Sequence, residues 1–123
     1  MDTGGTPVNA TGIYLQGPNA RILDNDISRT KAMAGHFSSG IQIGSSRGVV
    51  VENNRIDHIS KGPGSIYGVR TWESSNVLVI GNRISMATIG VHYLTSSSGK
   101  YMNNITNDVT DPYSGGTDGG GNN

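Results

Sequence analysis

At 123 residues the chain suffices for one domain or for a piece of a larger one. Its formal net charge of zero argues against nucleic acid as a partner, because phosphate contacts need a net basic face. No apolar run approaches the ~18 residues a membrane span needs, and the lack of cysteine excludes disulfides and thiolate metal sites while leaving the compartment undecided.

Leu, Ile, Val and Phe together make only about 21% of the chain, so any core is narrow. Ile and Val dominate that share, which is a β preference. Residues 1–10 read as a polar, glycine-rich N-terminal extension with no apolar stretch of signal-peptide type. The mature form of a secreted protein would read the same.

From residue 11 a unit recurs. Gly12-Ile13 leads to Asn25-Asp26-Ile27, Gly40-Ile41 to Asn54-Arg55-Ile56, Gly68-Val69 to Asn82-Arg83-Ile84, and Gly90-Val91 to Asn103-Asn104-Ile105. Glycine to isoleucine is 15, 16, 16 and 15 residues, while successive glycines are 28, 28 and 22 apart. Constant spacing inside the unit with slack between units is the mark of a stacked repeat with variable loops.

Each unit predicts two short strands. After the glycine, Ile13 and Leu15, Ile41 and Ile43, Val69 and Thr71, and Val91 and Tyr93 alternate with Tyr14, Gln42, Arg70 and His92. That period of two is a strand with one buried face. Seven and five residues before the turn isoleucine stand Ala20 and Ile22, Val49 and Val51, and Val77 and Val79; the fourth copy has Ser98 and Lys100 and breaks the pattern. Asn25, Asn54, Asn82 and Asn103, each two residues before the isoleucine, are expected to form an internal amide ladder between rungs about 4.8 Å apart. They are scaffold rather than site.

Segments 28–39 and 57–67 are long crossings, and 85–89 is short. The long ones carry Arg29, Lys31, His36 and Phe37, and His58, Lys61 and Tyr67; they read either as solvated connectors or as a groove wall. Residues 110–123 read as a Gly-rich, disordered tail. With neither end supplying a cap, three readings stay open: a fragment, a divergent form, or a protomer completed by association. A homo-oligomer or a flanking chain would then cover the end coils.

The stretch Gly68-Val69-Arg70-Thr71-Trp72-Glu73-Ser74-Ser75-Asn76-Val77-Leu78-Val79-Ile80-Gly81-Asn82-Arg83-Ile84 resembles the degenerate coil of the right-handed parallel β-helix superfamily, the pectin-lyase-like group. The resemblance covers residues 11–109 and implies an all-β, single-stranded right-handed solenoid of about four coils. It also implies a polysaccharide partner, an extracellular or cell-surface location, and lyase, hydrolase, epimerase, tailspike or stalk roles.

On that fold Tyr14, Gln42, Arg70 and His92 form an outward column, and Trp72 points the same way as Arg70. An arginine can hold a uronate carboxylate through two hydrogen bonds, and an indole can lie against a sugar ring with its N–H free for a hydroxyl. By analogy with family lyases, Arg70 would neutralise the carboxylate while His92 or Lys61 takes the α-proton, with Tyr14, Gln42 and Trp72 binding substrate. The acidic residues do not stack in one column, which disfavours glycoside hydrolysis and calcium-assisted elimination. No metal site and no cofactor is expected. A structural module without chemistry is the alternative.

Overall fold

A computed structural model of the chain describes residues 10–28, 30, 36–57 and 65–123. Lys61 and most of the two long crossings lie outside the described residues, as does most of the N-terminal extension. The described residues form strands and turns without helix.

All the strand pairs are parallel, so each strand is reached by a full circuit of the chain rather than a hairpin. The first turn contributes β1 (Ala10–Leu15), β2 (Arg21–Leu23) and β3 (Asp26–Ser28). The second contributes β4 (Ser38–Gly44), β5 (Val50–Glu52) and β6 (Arg55–Asp57). Then follow β7 (Ile66–Trp72), β8 (Val77–Ile80), β9 (Arg83–Tyr93), β10 (Gly99–Met102), β11 (Ile105–Ser114) and β12 (Thr117–Asp118). One sheet runs β1-β4-β7-β9-β6-β3 with β11 also on β9; the other runs β12-β10-β8-β5-β2.

The doubled role of β9 has a local cause. Where no long crossing intervenes, the last strand of one turn runs directly into the first strand of the next. Its Arg83–Ile84 end pairs with β6 and its far end pairs with β7. The chain turns the corner at Met86, whose φ is 59°, and β11 repeats this at Asp108 with φ 54°.

The register stacks equivalent side chains. Ile13, Ile41, Val69, Val91 and Tyr113 form one inward column, and Ile22, Val51, Val79 and Tyr101 another. From Ile41 to Val91 these residues are essentially free of solvent contact. The repeated glycine and isoleucine belong together: a Cβ at Gly12 would stand 2.7 Å from Ile27 Cγ2 and 2.7 Å from the Gly40 carbonyl oxygen. Gly40 meets Ile56 in the same way and Gly68 meets Ile84. Only a residue without a side chain lets the turn isoleucine fill the corner of the core.

Asparagines line that corner. The backbone N–H and Nδ2 of Asn25 donate to Asn54 Oδ1 at 2.9 and 3.0 Å, and Asn54 donates likewise to Asn82 Oδ1 at 2.9 and 3.0 Å. Asn82 donates to Asn104 Oδ1, and Asn104 to Asn122 Oδ1. The fourth copy therefore stands one residue from where the repeat was aligned. Asn103 occupies the left-handed corner (φ 54°) that Asp24, Asn53 and Gly81 occupy in the other turns. A one-residue slip reverses every side chain: Ile105 is 45% exposed, Thr106 pairs with Ile84, and Gly99 and Tyr101 replace Ser98 and Lys100 as partners of Val77 and Val79. In this register the fourth copy is regular.

The segment after Thr110 is likewise corrected. It continues β11 to Ser114, adds β12 beside β10, and supplies Asn122 to the ladder. Gly115 and Gly116 take φ of 71° and 69° where Tyr93 leaves no room for a side chain. The coils thus extend past residue 109. Tyr113 stacks on Tyr101 at 4.6 Å, and Asp118 ends the Val51–Val79–Tyr101 column on a two-residue edge strand.

Candidate functional site

The strand pairing aligns Tyr14 with Gln42, Gln42 with Arg70, Arg70 with His92, and His92 with Ser114. Successive members are therefore about 4.8 Å apart along the stack. Tyr14 is 50% exposed, whereas Gln42 is only 8% exposed and its Oε1 accepts from Thr11 Oγ1 at 3.3 Å.

Arg70 is held by aromatic rings. Its Cζ lies 4.5 Å from the centroid of Phe37 and 5.5 Å from that of Tyr67. Phe37 meets Tyr67 edge to face at 5.9 Å, and Tyr67 stacks on His92 at 5.2 Å with 16° between the rings. A guanidinium packed against aromatic rings is oriented and weakly hydrated, which suits it to a planar anion. Arg70 Nε and His92 Nδ1 are both buried without a hydrogen-bond partner among the described residues.

Burial lowers the His92 pKa below the ordinary imidazole value, the Arg70 charge lowers it further, and the Asp111 carboxylate opposes both. At neutral pH the imidazole is therefore uncharged. That leaves Arg70 as the cation of the column.

Trp72 lies two residues beyond Arg70, with its indole across Gly44 of the preceding rung. A Cβ on Gly44 would stand 2.7 Å from the indole Nε1. That nitrogen is buried without a partner, so the N–H expected to be free for a sugar hydroxyl is turned into the protein instead. Arg70, His92 and Trp72 thus share one face, Gln42 stands behind its front, Tyr14 sits two rungs away, and Lys61 lies outside the described residues.

Three further residues contribute: Phe37 and Tyr67, which the sequence offered only as part of a possible groove wall, and Asp111. Tyr67 immediately precedes Gly68, in the row Thr11–Ser39–Tyr67–Ile89–Asp111. That row was available as a signal. Phe37 reaches the face from the end of a crossing, where no periodicity marks it. Asp111 was hidden by the glycine-rich composition around it.

The other outer strand row is a charged network. Arg55 pairs with Asp26 and Asp57 at 3.1 Å each, and Ser85 Oγ donates to Asp57 Oδ1 at 2.5 Å. Arg55 is thus committed to Asp26 and Asp57. Among the described residues no group of His, Asp or Glu could hold a metal ion.

A comparison with protein families matches residues 5–122 to the right-handed beta helix region. No curated protein and no solved structure matches the chain. The match spans nearly the whole repeat, and the parallel pairing and the stacked columns are those of a solenoid: the chain belongs to the right-handed beta helix region family.

Proposed function

We propose that the outer face carrying Arg70 binds an extended acidic polysaccharide, with Arg70 receiving a uronate carboxylate. The observation that carries this reading is the seating of the Arg70 guanidinium on Phe37 and Tyr67 beside a neutral His92. Rungs at regular spacing present repeated contacts to a repeating ligand. Tyr14 and the rim of Trp72 offer ring surface for sugars on the same face.

The uncharged imidazole favours a chemical extension of this reading. With the carboxylate neutralised by Arg70, the C5 proton passes to His92 and its electron pair moves into the enediolate. Cleavage of the C4–O bond then expels the leaving sugar, whose O4 takes up the proton carried by His92, as in a lyase. Return of a proton to the opposite face gives epimerisation instead. Because His92 Nδ1 is buried, Nε2 is the nitrogen that would meet substrate.

The test is direct. The protein is incubated with polygalacturonate, alginate and related polymers while absorbance near ~235 nm reports unsaturated uronates, with Arg70→Ala and His92→Ala alongside. Binding is followed separately through Trp72, the single tryptophan. Activity lost in both variants supports the chemical extension, and binding without activity reduces the reading to recognition. Absence of binding to every polymer would leave a structural module such as a stalk or tailspike segment.

A further inference from the structure

We infer that the ligand of this face carries isolated uronates flanked by neutral sugars, rather than a carboxylate on every ring. The inference rests on the polysaccharide reading above and specifies its substrate class.

The outward column is Tyr14, Gln42, Arg70, His92 and Ser114, and all five positions are among the described residues. A polysaccharide laid along the stack meets roughly one rung per sugar ring, the rungs being about 4.8 Å apart. One of the five positions bears a positive charge. Tyr14 and Ser114 offer neutral hydrogen-bonding groups, Gln42 is uncharged and nearly buried, and His92 is kept uncharged beside Arg70.

The rung beyond His92 adds the opposite sign. Asp111 is exposed in the row flanking the column, and its carboxylate acts electrostatically on His92. A homopolymeric uronate would set one carboxylate at Arg70 and the next ones toward Asp111, where like charges repel. A chain with a single carboxylate at Arg70 meets no such opposition. Its neutral neighbours would lie over Tyr14 and Gln42 on one side and over His92 and Ser114 on the other.

The experiment keeps the sugar constant and changes only the spacing of charge. The intact chain is titrated at low salt and pH 7 with polygalacturonate, and with the same polymer after most of its carboxyls are methyl-esterified. Trp72 emission and calorimetry provide the readouts. An alternating polymer of glucuronate and N-acetylglucosamine is a second sparse ligand, and neutral xylan is the uncharged control. The sparse polymers should bind at least about tenfold more tightly per carboxylate than polygalacturonate. Arg70→Gln should abolish that difference, and Asp111→Asn should narrow it by strengthening the homopolymer. Polygalacturonate binding as tightly as the sparse polymers, in an Arg70-dependent way, would overturn this inference and leave the acidic-polysaccharide reading standing. Binding by none of the polymers, or equal binding of xylan that ignores Arg70→Gln, would overturn both.

Discussion

Asn104 Oδ1 accepts hydrogen bonds from both the backbone N–H and the Nδ2 of Asn82, at 3.0 and 3.1 Å, in a corner from which water is excluded. Asn104 returns its own Nδ2 to the Val79 carbonyl at 2.9 Å. With its further bond from Nδ2 to Asn122 Oδ1, the Asn104 amide ties three turns together. Replacing Asn104 with alanine strands the Asn82 backbone N–H, takes one of three acceptors from its Nδ2 and removes the side-chain donor to the Val79 carbonyl, which should cost about 2–4 kcal/mol. Asn103→Gly, by contrast, keeps the left-handed corner that a glycine adopts freely, and its effect should stay within about 1 kcal/mol. Urea denaturation of the two variants measures both, and similar losses would contradict the register.

The C-terminal turn is expected to be part of the cooperative unit. Tyr93 donates to the Val77 and Lys100 carbonyls at 2.9 Å, burial raises its pKa, and Tyr113 covers Tyr101. Tyr93→Phe removes the one O–H that the Val77 and Lys100 carbonyls share, a loss of about 1–2 kcal/mol. Deletion of residues 111–123 should do more, because it uncovers Tyr101 and removes the Asn122 rung. Aggregation of the shortened chain, or a sharply lower melting temperature, is the expected result; unchanged thermal unfolding would argue that the turn is dispensable.

These two regions also show where the chain could be read from its residues and where it could not. Gly40, Ile56 and Asn54 were legible because each is demanded by backbone proximity or by the ladder, so the same type recurs at the same place. Asn103-Asn104 was not. Both positions favour asparagine, one for its left-handed φ and one for its amide, and Ile105 offered a false anchor. The tail misled because its glycines read as freedom, whereas Gly115 and Gly116 make room for Tyr93. At the site, Arg70 and His92 were legible as outward alternation. Phe37 and Asp111 were not, since their contributions arise from approach across turns that no local period records.

The Trp72 ring fills the space over Gly44, so the two positions should be coupled. Gly44→Val would push a branched side chain into the indole and displace it toward solvent. Emission of the single tryptophan should shift to the red, with a stability loss of about 1–3 kcal/mol from overpacking. Gly44→Ala should give a smaller change in the same direction. An unshifted spectrum in Gly44→Val would mean that the indole does not lie on that glycine.

The state of His92 predicts opposite pH responses for folding and binding. Its folded pKa is below the unfolded value near ~6.5, so between the two the unfolded chain binds more protons. The stability contributed by the neutral imidazole is fully present above ~6.5 and is lost as pH falls through that value toward the folded pKa. His92→Gln should flatten this part of the stability curve. A uronate at Arg70 would screen the cation that depresses His92 and so raise its pKa, and linkage then requires affinity to increase on acidification across the same window. Uronate carboxylates remain ionised there, so the ligand's own charge does not change. Titration of the His92 ring resonances with and without polymer measures the shift directly. A His92 pKa unmoved by a polymer that binds would place the carboxylate away from Arg70.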